Sequence, residues 1–362
     1  MEGIARYIYE NLKRMVLSNP HTEFHFIFDR QYDPKFIFAD NVIPHIAWPQ
    51  ARHPILWYYW FEITIPSLLR RINADVFFSG DMYLSLKTKV PTLMVSHDLN
   101  YEHYPQFLRW SHRHYMLHYS RKYHNKANHL IAVSNATKQD IISTYNIPES
   151  KISVAHNAAP DGFRPLAGEK KEQIKSAITG GDDYFMYVGS LHPRKNVDGL
   201  LKAFDTFKKA SGLSHKLVIF GRQAFKTDQI FNIYNTLHHK EDVLFVDDDI
   251  APIYDTVASA TALCYVSHFE GFGIPILEAF HAETPVITSN VSSMPEVAGD
   301  AALLVNPNDI NDIANAMHQI AIDNKLGQRL ISKGKIQRQK FSWDLSASTI
   351  YDCLQGLISV IS

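Results

Sequence analysis

Cysteine is scarce in this chain of 362 residues, where Cys264 and Cys353 are the two present. Two thiols cannot build a disulfide framework. Each stands in an apolar stretch, so both are expected to be reduced and buried. Net charge is nearly absent as well, with 36 Lys and Arg against 37 Asp and Glu, which leaves no global field to draw the chain to nucleic acid. No apolar run approaches the roughly 20 residues that a membrane-spanning helix requires. The N-terminus, Met1-Glu2-Gly3-Ile4-Ala5-Arg6, has no signal-peptide apolar core, and the sequence predicts a cytoplasmic protein by elimination. Low-complexity tracts and repeats of solenoid period are missing too. What is there, 46% hydrophobic and 20% charged residues, suits a globular chain long enough for two domains.

The apolar pattern alternates short runs with longer amphipathic ones, which predicts βαβ units and a mostly parallel sheet. The second half shows this most clearly. Strands are predicted at 184–189, 216–221, 243–246, 262–267 and 285–288. Helices are predicted at 197–210, near 253–260 and from Gly273-Ile274-Pro275 onward, where Pro275 suits a first helical turn. In the less regular first half, 23–28, 75–79, 92–96, 129–133 and 152–155 read as strands, and 135–145 as a helix capped by Ser134. Pro160, Gly162, Pro165 and Gly168, with the charged cluster after them, mark an interdomain linker within 157–171. The expected domains are therefore 1–165 and 166–343, followed by a C-terminal helix at 344–362 that packs back toward the first. Open α/β sheets bind ligands beyond the carboxyl ends of their strands, so the residues there are the candidates for chemistry.

Two constellations stand at such ends. The first is Gly189-Ser190-Leu191-His192-Pro193-Arg194-Lys195-Asn196. Gly189 lets the backbone turn and approach a ligand closely. Arg194 and Lys195 put two cations beside a helix N-terminus that already carries partial positive charge and free N–H donors, an arrangement suited to a diphosphate. The second is Phe269-Glu270-Gly271-Phe272-Gly273-Ile274-Pro275-Ile276-Leu277-Glu278-Ala279. Its glycines open backbone N–H groups to an anion. Glu270 lies before the turn and Glu278 about one turn into the helix, where carboxylates can accept hydrogen bonds from sugar hydroxyls.

These residues resemble the retaining glycosyltransferases of family 4, which have the GT-B fold. So do 285–300, with Pro285, Ser293, Pro295 and Glu296, then 301–307 and Phe341-Ser342-Trp343. In the first half, His97-Asp98, Ala132-Val133-Ser134-Asn135-Ala136-Thr137, Asn157 and Phe163-Arg164-Pro165 are similar. The resemblance spans nearly the whole chain, is dense after Tyr184 and thinner before residue 90. It implies an α/β fold of two Rossmann-like domains facing across a cleft. It also implies transfer of a hexose, mannose-like in preference, from a nucleotide-diphosphate sugar to a glycan or lipid-linked acceptor, with retention at the anomeric carbon. By the same resemblance Arg194 and Lys195 neutralise the departing diphosphate. Glu270 contacts the transferred sugar, and Glu278 the ribose. Gly189, Phe272, Gly273 and Ile274 line the phosphate and sugar. His97 stands near the sugar, while Gly3 and Arg6 belong to a glycine-rich first loop at the donor phosphate.

Glycosyl transfer passes through an oxocarbenium-like state while negative charge builds on the leaving group. Fixed cations aimed at that charge supply the stabilisation, so neither a metal nor a cofactor beyond the donor substrate is expected. Asp247-Asp248-Asp249 is an acidic candidate, but it reads as a solvated turn. The family places a strand before the glycine-rich loop, whereas here the loop opens the sequence. The first domain is thus expected to lack its first strand, leaving two neighbours unpaired. From His103 to Gln139 there is no Asp or Glu, and Arg109, Arg113, Arg121, Lys122 and Lys126 mix with Trp110, Tyr115, Tyr119, Tyr123 and histidines. That stretch reads as a solvated helix face, a lining for an acidic substrate, or a helix in peripheral contact with an anionic membrane. The alternatives to a transferase are an epimerase-like GT-B enzyme acting on a sugar nucleotide and a nucleotide-sugar-binding protein without turnover.

Overall fold

A computed structural model describes residues 3–222 and 228–359. The chain divides into two compact units, Met1–Asn157 with Ser342–Ser362, and Ala158–Phe341. The segment 158–165, assigned to the first domain from sequence, lies with the second unit here. Phe163 packs edge-on against Tyr254, with ring centroids 4.7 Å apart.

The first unit opens with α1 (Gly3–Ser18), whose Tyr7, Asn11 and Met15 recur every fourth residue and are buried. β1 (Phe24–Phe28) and β2 (Val42–Ile46) pair in parallel as a sheet of their own. α2 (Pro54–Tyr59) runs through a π turn, Trp60–Thr64, into α3 (Ile65–Arg71). A second parallel sheet follows in the order β3 (Phe77–Ser79), β4 (Thr92–Ser96), β5 (His129–Ala132), β6 (Ile152–Val154). Between its strands run α4 (Asn100–His103), α5 (Trp110–Lys126) and α6 (Asn135–Tyr145). Ser134 caps α6, its Oγ accepting the Thr137 N–H at 3.0 Å.

β4 is buried along its whole length, as the middle of a parallel sheet must be. The core under it mixes aliphatic and tyrosine side chains. A polar chain runs through that core. Ser96 Oγ meets His124 Nε2 at 3.0 Å, Tyr101 bonds Ser120, and Tyr145 OH donates to Glu102 Oε1 at 2.7 Å and lies 3.1 Å from Ser120 Oγ. Among the described residues no strand precedes α1. β1 has one strand neighbour, β2, and β3 has one, β4.

The second unit is one six-stranded parallel sheet. In chain order it holds α7 (Gly168–Thr179), β7 (Tyr184–Val188), α8 (Val197–Ser211), β8 (Lys216–Phe220), α9 (Asp228–Thr236), β9 (Val243–Val246), α10 (Ile253–Ser259), β10 (Ala262–Tyr265), α11 (Ile274–Ala282), β11 (Val286–Ser289), α12 (Met294–Ala298), β12 (Leu303–Val305), α13 (Ile310–Ile322) and α14 (Asn324–Gln337). Spatially the strands run β12, β11, β10, β7, β8, β9. β7 is central, buried throughout, and α8 and α13 pack together over a core of Phe185, Leu200, Phe204, Ile219 and Met317. The chain then returns to the first unit as α15 (Trp343–Ser359), which packs on α1. Cys264 is buried as expected, whereas Cys353, on α15, is only half-buried.

Candidate functional site

The carboxyl ends of β7 and β10, adjacent in the sheet, bring the two constellations together. Past β7, Gly189 takes φ +143°, and a side chain there would press on the Tyr187 hydroxyl. Its N–H donates to Phe220 O at 3.0 Å, and a Cβ on Gly221 would stand 1.9 Å from Gly189 O. Two loops therefore cross with room for backbone alone. The 3₁₀ turn Pro193–Lys195 follows, capped by His192, whose Nδ1 accepts the Arg194 N–H at 3.2 Å. Asn196 ends it in the left-handed region, φ +56°, a conformation that asparagine tolerates better than most residues. Its buried amide donates to Val266 O at 3.0 Å and Pro307 O at 2.7 Å. The basic turn is thereby fastened to the ends of β10 and β12.

Glu270 is the hub. Its Oε1 accepts from Lys195 Nζ at 2.7 Å and its Oε2 lies 2.9 Å from Arg194 Nη1. Arg194 also donates to Phe269 O. Lys195 donates to the buried Tyr265 hydroxyl at 2.7 Å. Burial alone would push the Glu270 carboxyl up. The charges of Arg194 and Lys195, with the hydrogen bond from Lys195, outweigh it and bring the group down to about 2. One carboxylate against two cations leaves the cluster positive. The side chains are 9, 16 and 13% exposed, so water screens that charge weakly.

The turn after Glu270 is held from the next strand's loop. Ser293 Oγ lies 2.7 Å from Phe272 O and 2.9 Å from Glu270 O, its one O–H shared between them, and Ser292 Oγ accepts the Glu270 N–H at 3.2 Å. Gly273, φ +109°, caps α11, with Ile274 and Pro275 in its first turn. Phe272 is buried edge-on against Phe341, 5.5 Å between centroids. The position a Gly273 Cβ would take is 3.7 Å from the Tyr265 ring, so the helix start and the two cations converge around Tyr265. Such a start carries the positive end of the helix dipole, and with adjacent cations it suits an anion, although Pro275 has no N–H and the Ile276 N–H already donates to Gly273 O at 3.0 Å. Glu278 lies farther along α11, half-buried.

Sequence reading gave no role to Tyr265, Ser292, Ser293, Gly221 or Asn196, although Ser293 stands in the family-like stretch 285–300. Their parts depend on contacts across 21 to 111 positions of chain. The remaining expected residues belong to the first unit. His97 is buried, its Nε2 bonded to Gly80 O at 2.8 Å and its ring edge-on to Tyr7 at 5.2 Å. Burial lowers its pKa, against smaller opposing effects from Gly80 and Asp98, which favours a neutral imidazole donating from Nε2. Gly3 and Arg6 do not form a loop. They lie in the first turn of α1, whose helical pattern starts at Gly3. Asp247 and Asp248 bond backbone N–H groups of their own exposed turn.

Residues 168–337 match the family model described as Glycosyl transferases group 1, and residues 1–161 match Glycosyltransferase Family 4. O-antigen chain mannosyltransferase B of Escherichia coli is 29% identical over 61% of this chain and 58% of its own length. The O-antigen chain mannosyltransferase RfbU of Salmonella typhimurium is 28% identical over 78% of this chain and 76% of its own. In fold the chain is similar to WaaG, a glycosyltransferase of lipopolysaccharide biosynthesis, with TM-score 0.74, 15% identity and coverage of 98% and 97%. Anabaena HepE, solved with UDP and glucose, gives TM-score 0.73 at 16% identity, covering 96% and 95%.

Proposed function

The chain belongs to glycosyltransferase family 4, with the GT-B fold, and from that premise we propose that it moves a hexose from a nucleotide-diphosphate sugar to a glycan or lipid-linked acceptor, with retention. The observation that carries this reading is the Arg194–Lys195–Glu270 cluster on its Tyr265 support beside the start of α11. In this reading the diphosphate lies against the two cations and the N–H groups of the Gly273 turn. Negative charge grows on it as the glycosidic bond breaks, so these fixed groups favour the transition state over the bound donor. Glu270 stays ionised and turns toward sugar hydroxyls, while Glu278 takes the ribose. His97, Gly3 and Arg6 keep the donor-side roles that the resemblance implies. Mannose is favoured because the relatives above are named as mannosyltransferases, and the HepE complex makes UDP as well as GDP a candidate base.

A thermal-shift panel of GDP- and UDP-sugars tests the reading. A cognate donor raises the melting temperature by mass action, and Lys195→Ala removes most of that rise. No shift with any nucleotide sugar overturns the proposal. Donor consumed without transfer to any glycan favours the epimerase-like alternative.

A further inference from the structure

Each cation of the cluster has a second, uncharged acceptor. Lys195 Nζ donates to the Tyr265 hydroxyl at 2.7 Å, and Arg194 donates to Phe269 O. Tyr265 is buried in β10, and its backbone O accepts from Thr288 Oγ1 on β11 at 2.7 Å. Glu270 is held in another way. Its backbone is clamped, with O 2.9 Å from Ser293 Oγ and the N–H donating to Ser292 Oγ at 3.2 Å. Its carboxylate is engaged through the cations, Oε1 with Lys195 at 2.7 Å and Oε2 with Arg194 at 2.9 Å. If the side chain turns away, Tyr265 and Phe269 still hold the two cations in place. The carboxylate is therefore the exchangeable member of the cluster.

A diphosphate needs the same cationic N–H groups. A carboxylate 2.7 to 2.9 Å from those nitrogens would stand beside its phosphate oxygens, and like charges placed so repel strongly. The side chain is 9% exposed, so water relieves little of that repulsion. A carboxyl brought down to about 2 does not escape it by taking up a proton near neutral pH. It has to turn away, and once turned it needs hydrogen-bond donors. The hydroxyls of a nucleotide-bound sugar supply them. A free nucleoside diphosphate has no sugar there to do so.

We propose that Glu270 is a built-in competitor of the diphosphate: it leaves the cations for the sugar when the intact donor binds, and returns to them after transfer, expelling the nucleoside diphosphate. This rests on the nucleotide-sugar reading and adds product release to it. The test is titration calorimetry of the full chain with GDP and with UDP, and stopped-flow competition for the dissociation rate. Glu270→Gln removes the charge and keeps the shape. It should bind whichever diphosphate the wild type binds about tenfold more tightly, with the gain in slower dissociation, although turnover falls. Glu270→Ala, the second neutral variant, should tighten binding likewise, so misfolding of one, seen by circular dichroism, leaves the other as the test. Glu270→Asp keeps the charge and should stay within about twofold of the wild type. Unchanged or weaker diphosphate binding in a folded neutral variant overturns the proposal and leaves the nucleotide-sugar reading standing. So does a gain confined to the association rate, or equal tightening in Glu270→Asp. A wild type that binds neither GDP nor UDP overturns both.

Discussion

The six strands of the second unit form one continuous parallel sheet, whereas the six strands of the first form two sheets, of two and four. The difference runs into the cores. The second unit packs mainly phenylalanine and aliphatic side chains, with Tyr187 among them, and its Arg194–Lys195–Glu270 cluster stands at the strand ends. The first buries tyrosines and a histidine in a polar chain beneath β4. Polar chains fix one geometry when every member is bonded, but they make stability conditional on protonation. The comparison teaches where each unit stores its electrostatic cost: one at the chemistry, the other in the scaffold.

Four experiments can break or sharpen that contrast, taken from the largest effect down. Lys195→Ala should lower turnover by two to three orders of magnitude, the loss expected for one fixed group aimed at developing charge. The melting temperature without ligand should change little, since Glu270 retains Arg194. Parallel loss of stability and activity would make the cluster a structural ion pair instead.

Acid should separate the units. Burial lowers His124 from 6.5 to about 4, so the unfolded chain binds the extra proton first. Stability from this group is whole above pH 6.5 and is lost as pH falls toward 4, by roughly 3 kcal/mol. Against its burial, Glu270 is also lowered, from 4.5 to about 2, by Arg194 and Lys195, so its contribution is lost only between about pH 4.5 and 2. Hydrogen exchange measured from pH 7 to 4 should show amides of β4 and α5 loosening before those of β7 and β10. Simultaneous loosening would refute the contrast.

Asn196→Ala should cost about 2 kcal/mol in denaturant unfolding, because Val266 O and Pro307 O lose a buried donor and alanine strains at positive φ. Asn196→Gly, which relieves only the strain, should recover part of it. Last, Ser134→Ala should cost about 1 kcal/mol by removing the cap of α6. A null result there would mean that packing of Ile141 and Tyr145 holds the helix unaided.

The same contrast explains what could be read in the sequence. β4 and β7 fall on their apolar runs, because buried parallel strands are nearly continuous in apolar residues. β1 and β2 are only half-buried, and β2 carries Pro44. A proline demotes a run as a strand, and β2 was not legible. β12, three residues at the sheet edge with Leu304 exposed, was not predicted although 301–305 is apolar throughout. At the candidate site, Gly189, Arg194, Lys195, Glu270 and Gly273 show locally what they can do. Tyr265 looks like one more apolar strand residue until the fold sets its hydroxyl under Lys195. Gly3 and Arg6 read as a loop from the family pattern, but α1 begins at Gly3.

α15 lies on α1, some 330 positions away in sequence, with Arg14 Nε bonded to Asp344 at 2.6 Å. The second unit is an unbroken stretch that can condense as soon as it leaves the ribosome. The first must wait for its last helix, although its opening residues are made first. Until then the apolar side of α1, with Tyr7 and Met15, has no lid, and the nascent chain carries an unfinished domain through most of its own synthesis.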